Sequence, residues 1–546
     1  MVIKLFTLYT ILITTICSFI GYGSLFKIYK LNSVNIFNLF FFGLVVINII
    51  SFFYYLLIPN NPIINLIIIF FGFFLYFKNL KFFNFKYILI ISTLFFLGLI
   101  ISKTHEDFSV YHYQHIKELT DNYLKFGLAN LDHRYSYSSI FSYIQGLFKL
   151  PYFNLYLILI PVYSIYISLI GYLFSQITNK NKDYLNFIYI FFLLLLVVKF
   201  KRLSEFGYDY IGQFILIYVF IEFVLNKNSQ NYINNKLDGI IIFLYTLLIK
   251  ISNFYFLPIL FYTILKNKID VNKMLFQKKF LIFGFLILSI FLTNSFLKTG
   301  CINYLLEFSC LTKNKISWVI DYKEIENTKK LSTSWSRGFY HQKKEIETNE
   351  LSYNSNLNWL PNWVEAHFIV KILPFIFVNL ILLLIIKLLI FKNNKNLDFD
   401  YSLFFSVIAS NLIWLYFFPQ FRFGFAGISI LICLVFISFF RIPFKINYLR
   451  FLILFSIFII YFNFSNIVRI NKEFIREDIY KFTNFPFFSL PSLNFDYDID
   501  KNFKYNRSKK NDNFWRTCFN SNLVCVNHDQ NIEFNKKKRL LFITKL

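Results

Sequence analysis

Apolar residues along this chain gather in blocks close to the length that crosses a bilayer, about 20 residues for a hydrocarbon core of about 30 Å. The blocks fall at about 3–26, 36–58, 62–77, 86–102, 152–177, 185–200, 210–225, 238–265, 280–297, 368–391, 401–418, 424–440 and 446–464. Two long polar stretches, 103–151 and 298–367, interrupt them, and a polar tail follows residue 465. No internal repeat of fixed period stands out. The pattern predicts an all-α polytopic membrane protein. The first block follows Lys4 but has no small-x-small cleavage site after it, so it reads as a retained span.

Lysines and arginines in short loops set the orientation. The loops at 27–35 (Lys27, Lys30), 78–86 (Lys78, Lys81, Lys86) and 178–184 (Lys180, Lys182) are basic and predict a cytoplasmic face, whereas "PNNP" at 59–62 is uncharged and predicts an outer one. That places 103–151 outside. Residues 238–265, "DGIIIFLYTLLIKISNFYFLPILFYTIL", are broken at Lys250, Ser252 and Asn253, with Pro258 following. Each half has only about a dozen apolar residues, so the segment reads as a re-entrant pair that enters and leaves on the cytoplasmic side. Lys392, Lys395, Arg441 and Lys445 then also face inward. The expected architecture is about 12 transmembrane helices plus one re-entrant helical pair, with outer-face loops and both termini outside.

The expected organisation is N-terminal extra transmembrane helices over 1–85, a membrane core over 86–297 that includes the outer loop 103–151, and a second outer loop over 298–367. C-terminal transmembrane helices over 368–464 and an outer-face tail over 465–546 complete it.

Composition agrees with the class. Hydrophobic residues make up 57% of the 546, aromatics 22% and charged residues 16%, where a soluble domain is about a quarter charged. The abundance of Phe, Ile, Tyr, Asn and Lys looks like a low-GC coding bias, so aromatic richness carries no functional weight. The net charge of +26 comes with lysines clustered at inner span ends, which orientation and anionic lipid explain better than nucleic acid. Cys301, Cys310, Cys518 and Cys525 fall in outer stretches, where an oxidising compartment allows disulfides. The local pairs Cys301–Cys310 and Cys518–Cys525 are favoured among the three pairings, with four free thiols as the alternative. Cys17 and Cys433 lie inside spans and read as packing residues. The chain has no G-x-x-x-x-G-K-[ST] phosphate loop, no G-x-S-x-G elbow and no H-E-x-x-H.

Candidate chemistry begins at "ISKTHEDFSVYHYQHIKEL", residues 101–119. Glu106 and Asp107 sit where the fourth block emerges. Tyr111, His115 and Glu118 follow at helical steps, the signature of a helix lying in the interface plane. "YSSIFSYIQGLFKLP" at 137–151 is a candidate for a second such helix. Acids at a span mouth, roofed by surface helices, suit reactants embedded in lipid; the alternative is that Asp107 merely ends a span and caps a helix beginning near Ser109. His105, His112 and His115 lack a zinc signature. "KFKRLSEFGYDYIG" at 199–212 holds Lys199, Lys201, Arg202, Glu205 and Asp209 on the outer side, against the insertion bias. It points to an anionic ligand such as a phosphate headgroup, or else to a snorkelling interfacial loop.

"HEDF" (Asp107, with Glu106) and "SEFGYD" (Glu205, Asp209), two blocks apart, resemble the acidic loop positions of GT-C-type membrane glycosyltransferases, whose kin include protein O-mannosyltransferases and lipid A aminoarabinose transferases. "LYTLLIKISNFYFLP", with Lys250, is similar to that family's half-helices around a lysine. "FFPQFRFGFAG", with Arg422, is similar to a basic position such enzymes use near the lipid phosphate. The set "EDF…SEFGYD…SWSRG…PQFRFG" further resembles a group of bacterial membrane proteins of unassigned function. The likeness covers roughly 86–440 as architecture, and this chain carries three additional spans before the acidic loop.

The resemblance implies a GT-C-like fold and a hexosyltransferase of the cell (inner or plasma) membrane. Such an enzyme moves a sugar from a polyprenyl-phosphate donor to a glycan or lipid acceptor of the cell envelope. It implies Asp107 as general base, with the donor phosphate near Arg202 or Arg422. It also implies a divalent cation, Mg or Mn, held among Asp107, Glu205 and Asp209, with Glu106 as a further candidate. Two other classes stay open. An O-antigen-type ligase or polymerase would use "TSWSRGFYHQ", with Arg337 and His341. A transporter or flippase of lipid-linked glycans would place charges near the bilayer midplane, usually with paired broken helices.

Overall fold

Inside a bilayer no water can satisfy backbone polar groups, so long apolar runs close their hydrogen bonds within themselves and fold as helices. The computed structural model describes residues 1–26, 35–79, 85–100, 107–137, 139–178, 183–201, 203, 208–225, 232–266, 276–304, 306–341, 349–395, 400–440, 442–475, 484–487, 497–500, 503–507, 518, 523–526 and 531–545. Helices α1 (Val2–Phe26), α2 (Ile36–Leu57), α3 (Pro62–Asn79) and α4 (Phe85–Phe95) precede the first polar stretch. That stretch holds α5 (Tyr113–Leu119) and α6 (Phe141–Gly146). Next come α7 (Ile160–Thr178), α8 (Asp183–Lys199) and α9 (Ile211–Val219), the last continued by a π-helical turn over Phe220–Leu225. Helices α10 (Tyr232–Ile249), α11 (Leu257–Lys266) and α12 (Lys278–Thr299) lead into the second polar stretch. There lie α13 (Tyr322–Ser336) and α14 (Glu350–Asn354). Then α15 (Leu360–Trp363) runs through a π-helical stretch, Val364–Ile372, into α16 (Leu373–Ile390). Helices α17 (Tyr401–Phe417), α18 (Phe421–Phe439) and α19 (Tyr448–Phe474) complete the set.

Among the described residues, eight helices are long and apolar enough to cross a membrane: α1, α2, α3, α7, α12, the continuous stretch Leu360–Ile390, α18 and α19. Six shorter apolar helices, of 10–17 residues, pack among them. The block expected to begin at 152 becomes helical only at Ile160, because turns with positive φ at Tyr152 and Asn154 occupy its start.

The expected break at Lys250 is present, and its surroundings show how the chain runs through it. At the start of α10, Asp238 accepts from Lys279 at the start of α12 (2.5 Å). Helix α11 ends where Tyr262 donates to Asp400, the N-cap of α17 (2.5 Å). Between them Phe254 packs on Phe417 and Phe418 at the far end of α17. The segment therefore rises to one end of the bundle, turns at Lys250 and returns.

The all-α expectation is corrected outside the helical bundle. Strands β1 (Leu124–Phe126), β7 (Ile532–Lys537) and β8 (Leu540–Lys545) form one sheet, with β8 parallel to β1 and antiparallel to β7. Strands β2 (Phe391–Lys395) and β3 (Ile442–Ile446) pair antiparallel. Strands β4 (Tyr497–Asp500), β5 (Phe503–Arg507) and β6 (Val524–Val526) form a third sheet. In the first sheet the cause is a two-residue alternation: Ile532 and Phe534 on β7, and Leu541 and Ile543 on β8, are buried at every second position. The tail is thus stitched to the first polar stretch. Arg539 adds bonds to the carbonyls of Tyr55 (2.7 Å) and Leu56 (3.2 Å) at the last turn of α2, where free carbonyls await donors.

This docking also corrects the interfacial helix. Its His115 and Glu118 are buried rather than lying at a surface. Lys125 pairs with Glu118 and with Asp121 (3.0 Å) beneath the tail, and Glu118 accepts from the Cys525 amide (3.4 Å). Disulfides join Cys301 to Cys310 and Cys518 to Cys525, while Cys17 and Cys433 are free and buried.

Candidate functional site

Four charged side chains from distant parts of the sequence meet at the end of the bundle where the Lys250 break turns. After α4 the chain tightens into a 3-10 turn, Phe96–Leu99, and is helical again from Asp107 into a π-helical turn, Phe108–His112. Asp107 makes no side-chain capping bond; its carboxylate instead accepts from Arg422 Nη1 (3.1 Å). The reading of Asp107 as a helix cap is thereby corrected. Arg422 occupies the first turn of α18, after the extended residue Gln420, so the positive end of the helix dipole adds to its charge.

The same Arg422 Nη1 donates to Asp209 Oδ2 (2.9 Å), and Lys250 Nζ donates to Asp209 Oδ1 (2.7 Å). Asp209 lies two residues before α9, and Lys250 is an extended residue between α10 and the 3-10 turn Ile251–Phe256. That irregular backbone is pinned from below. Asn253 accepts from Gln213 (2.9 Å) and donates to the Thr246 carbonyl (3.0 Å); Tyr255 donates to Gln213 (2.9 Å). Gln213 and Tyr255 also accept from the Ala426 and Gly427 amides (3.0 and 3.2 Å). Gly212 is required at this approach, since a Cβ there would lie 2.3 Å from Asn253 Nδ2. Lys250 and Arg422 therefore sit on backbones tied together by one polar network.

Electrostatics follow from these contacts. Burial favours the neutral form of Asp209, but the Lys250 ammonium and the Arg422 guanidinium outweigh it and hold the carboxyl below the usual carboxylate range. His112 Nε2 lies 3.9 Å from Asp209 Oδ1. Its ring lies between Tyr111 and Tyr208, with centroids 4.0 and 4.2 Å away. Burial pushes His112 down to about 3, against the pull of Asp209, so its imidazole is neutral near pH 7. Among the described residues, neither ring nitrogen has a hydrogen-bond partner. Trp335 and Phe423 flank the Arg422 guanidinium at 5.0 and 5.2 Å, and Lys250 sits 4.3 Å from the Phe423 ring.

Asp107, Asp209, Lys250 and Arg422 are thus brought together. Arg337 is not: it donates to the carbonyls of Asn354 (2.8 Å) and Tyr416 (3.3 Å) and lies 4.9 Å from the Trp359 ring. It ties the end of α13 to α14 and α17. Glu106, Arg202 and Glu205 lie outside the described residues. Of the other basic residues in that loop, Lys199 stacks on Phe421 (5.3 Å) and Lys201 donates to Tyr461 (3.1 Å). Those two contacts fit the snorkelling alternative.

The described donor set does not fit a divalent cation. Both oxygens of Asp209 accept from cationic side chains, and Arg422 lies between Asp209 and Asp107, where an ion would meet repulsion. Sequence reasoning missed His112 as a neighbour of Asp209, and missed Gln213, Asn253 and Trp335. The available signal was Gln213, a polar residue inside the otherwise apolar "IGQFILIYV", because such residues find a partner in the bundle interior.

Residues 1–429 match the family described as Domain of unknown function (DUF8201), and the chain belongs to that family. No curated protein and no solved structure matches it.

Proposed function

We propose that this chain is an integral-membrane glycosyltransferase. It moves a sugar from a polyprenyl-phosphate donor to a cell-envelope acceptor on the outer face of the cell membrane. The observation that carries the reading is the meeting of Asp107, Asp209, Lys250 and Arg422 at one end of the helical bundle. We read the eight long and six short apolar helices as about 12 spans plus the α10–α11 hairpin, in a GT-C-like arrangement.

Asp107 accepts the proton of the acceptor hydroxyl as its oxygen forms the new bond to the anomeric carbon. The bond from that carbon to the donor phosphate oxygen breaks, and the phosphate leaves with the electron pair. Arg422 and Lys250, fixed before the reaction, neutralise the charge that builds on the leaving phosphate. Asp209 holds the two cations apart and oriented. Charges gathered at one end of the bundle favour a face-bound reaction over a midplane transport site.

The experiment compares lipid-linked and surface glycans in cells with and without this chain. Loss should leave a lipid-linked sugar accumulating and a surface glycan missing that unit. Identical profiles in both pools would overturn the reading.

A further inference from the structure

The two carboxylates on Arg422 are not equivalent. Asp209 keeps 4% of its side-chain surface exposed and is bound by two cationic residues, whereas Asp107 keeps 32%. Arg422 serves both through the single atom Nη1, and among the described residues its buried Nε has no partner. A guanidinium is built to grip an oxyanion with two parallel N–H bonds, and here that fork is only half used. Beside it lies His112, 2% exposed, with both nitrogens unpartnered. Unused buried donors next to a cation pair point to a ligand rich in acceptor oxygens.

We propose that Asp107 is a latch on Arg422, displaced when a phosphate-bearing ligand, a monoester or diester, takes its place on the guanidinium. Asp209 stays as the permanent counter-charge and keeps Lys250 and Arg422 in position. The incoming phosphate engages Nη1 and Nη2 together, beside the Trp335 and Phe423 rings.

One consequence rests on the glycosyltransferase reading. Clamped to Arg422, the Asp107 carboxylate has the oxygen that the acceptor hydroxyl needs engaged by the guanidinium. Displaced by the phosphate, that oxygen can receive the acceptor hydroxyl proton. Donor binding thus switches on the base, and the donor must bind before the acceptor. This order denies water an activated base in the empty enzyme.

The test uses the full chain in neutral-lipid nanodiscs and titrates two probes by calorimetry, inorganic phosphate and a polyprenyl phosphate, with neutral polyprenol as the control. Asp107→Asn, and Asp107→Ser as a second variant, should bind a phosphate probe about 3- to 10-fold more tightly than the wild type, the worth of a part-exposed ion pair. Arg422→Gln should lose that binding. Tightening for both probes means the phosphate group suffices; tightening for the polyprenyl phosphate alone means a lipid headgroup is the ligand. Unchanged or weaker binding in both Asp107 variants, or no binding of either probe by the wild type, overturns the latch. The outcome is separable from the enzymatic reading. Tightening in a protein whose loss leaves all glycans normal keeps the latch and removes the transferase. Transfer that Asp107→Asn abolishes without tightening does the reverse.

Discussion

Lys250 Nζ stands 2.7 Å from Asp209 Oδ1, so the break between α10 and α11 is held at the same end of the bundle as the mouth of α9. The two ends of that hairpin lie at the opposite end, marked by Asp238–Lys279 and Tyr262–Asp400. Reporter fusions after residue 235 and after residue 272 should therefore report the same compartment. Opposite reports would mean that 238–265 crosses once and would dissolve the site as described.

The Asp209 contacts also set a stability expectation. Removing Lys250 leaves Asp209 with Arg422 alone, so the cost falls short of the about 3–5 kcal/mol of a wholly uncompensated buried charge. Lys250→Met should lower the melting temperature of the detergent-solubilised chain clearly, and the double variant Lys250→Met/Asp209→Asn should recover part of the loss. Equal melting temperatures in the wild type and Lys250→Met would show that the pair carries no stability.

Protonation of His112 gives a pH signature. Its folded value near 3 lies below the ordinary value of about 6.5. The unfolded chain therefore binds the proton first as pH falls, and stability present above pH 6.5 drains away toward pH 3. Burial lowers His115 likewise, so it contributes in the same direction. Asp209, depressed below its ordinary value, adds its own loss only below about pH 4. Melting curves at pH 7.5 and pH 5 should show a smaller drop for His112→Phe than for the wild type. The same drop in both would remove the buried neutral histidine from the account.

Catalysis is tested at Asp107. Asp107→Asn preserves shape and an accepting oxygen but cannot take a proton, and general-base catalysis contributes about 100- to 10,000-fold. Transfer should fall by that order with expression unchanged. Arg422→Lys keeps the charge and loses the planar fork, so donor binding should weaken more than turnover. A normal glycan profile in Asp107→Asn would take Asp107 out of the mechanism.

Thiol chemistry checks sidedness independently. With both disulfides formed, the denatured but unreduced chain should expose two thiols, Cys17 and Cys433, and six after reduction. Four or six thiols without reduction would place the face carrying the site in a reducing compartment.

The helices were legible because a bilayer leaves an apolar run of some 20 residues one way to satisfy its backbone, and that constraint is local. The interruption at Lys250 was legible for the same reason: a lysine, a serine and an asparagine cannot continue a lipid-facing helix. Asp107, Asp209 and Lys250 could be named from charges at outer block ends and at the broken segment, and Arg422 from the family resemblance. What the linear pattern could not hold was pairing. That one guanidinium joins residues 107 and 209, and that Arg337 binds the carbonyls of Asn354 and Tyr416, depends on which helix ends meet, and helix-end meetings are set by packing over hundreds of residues. The buried α5 and the tail strands follow the same logic. Helical steps at Tyr111, His115 and Glu118 mark a face, and only the docking of β8 on β1 decides whether lipid or protein covers it.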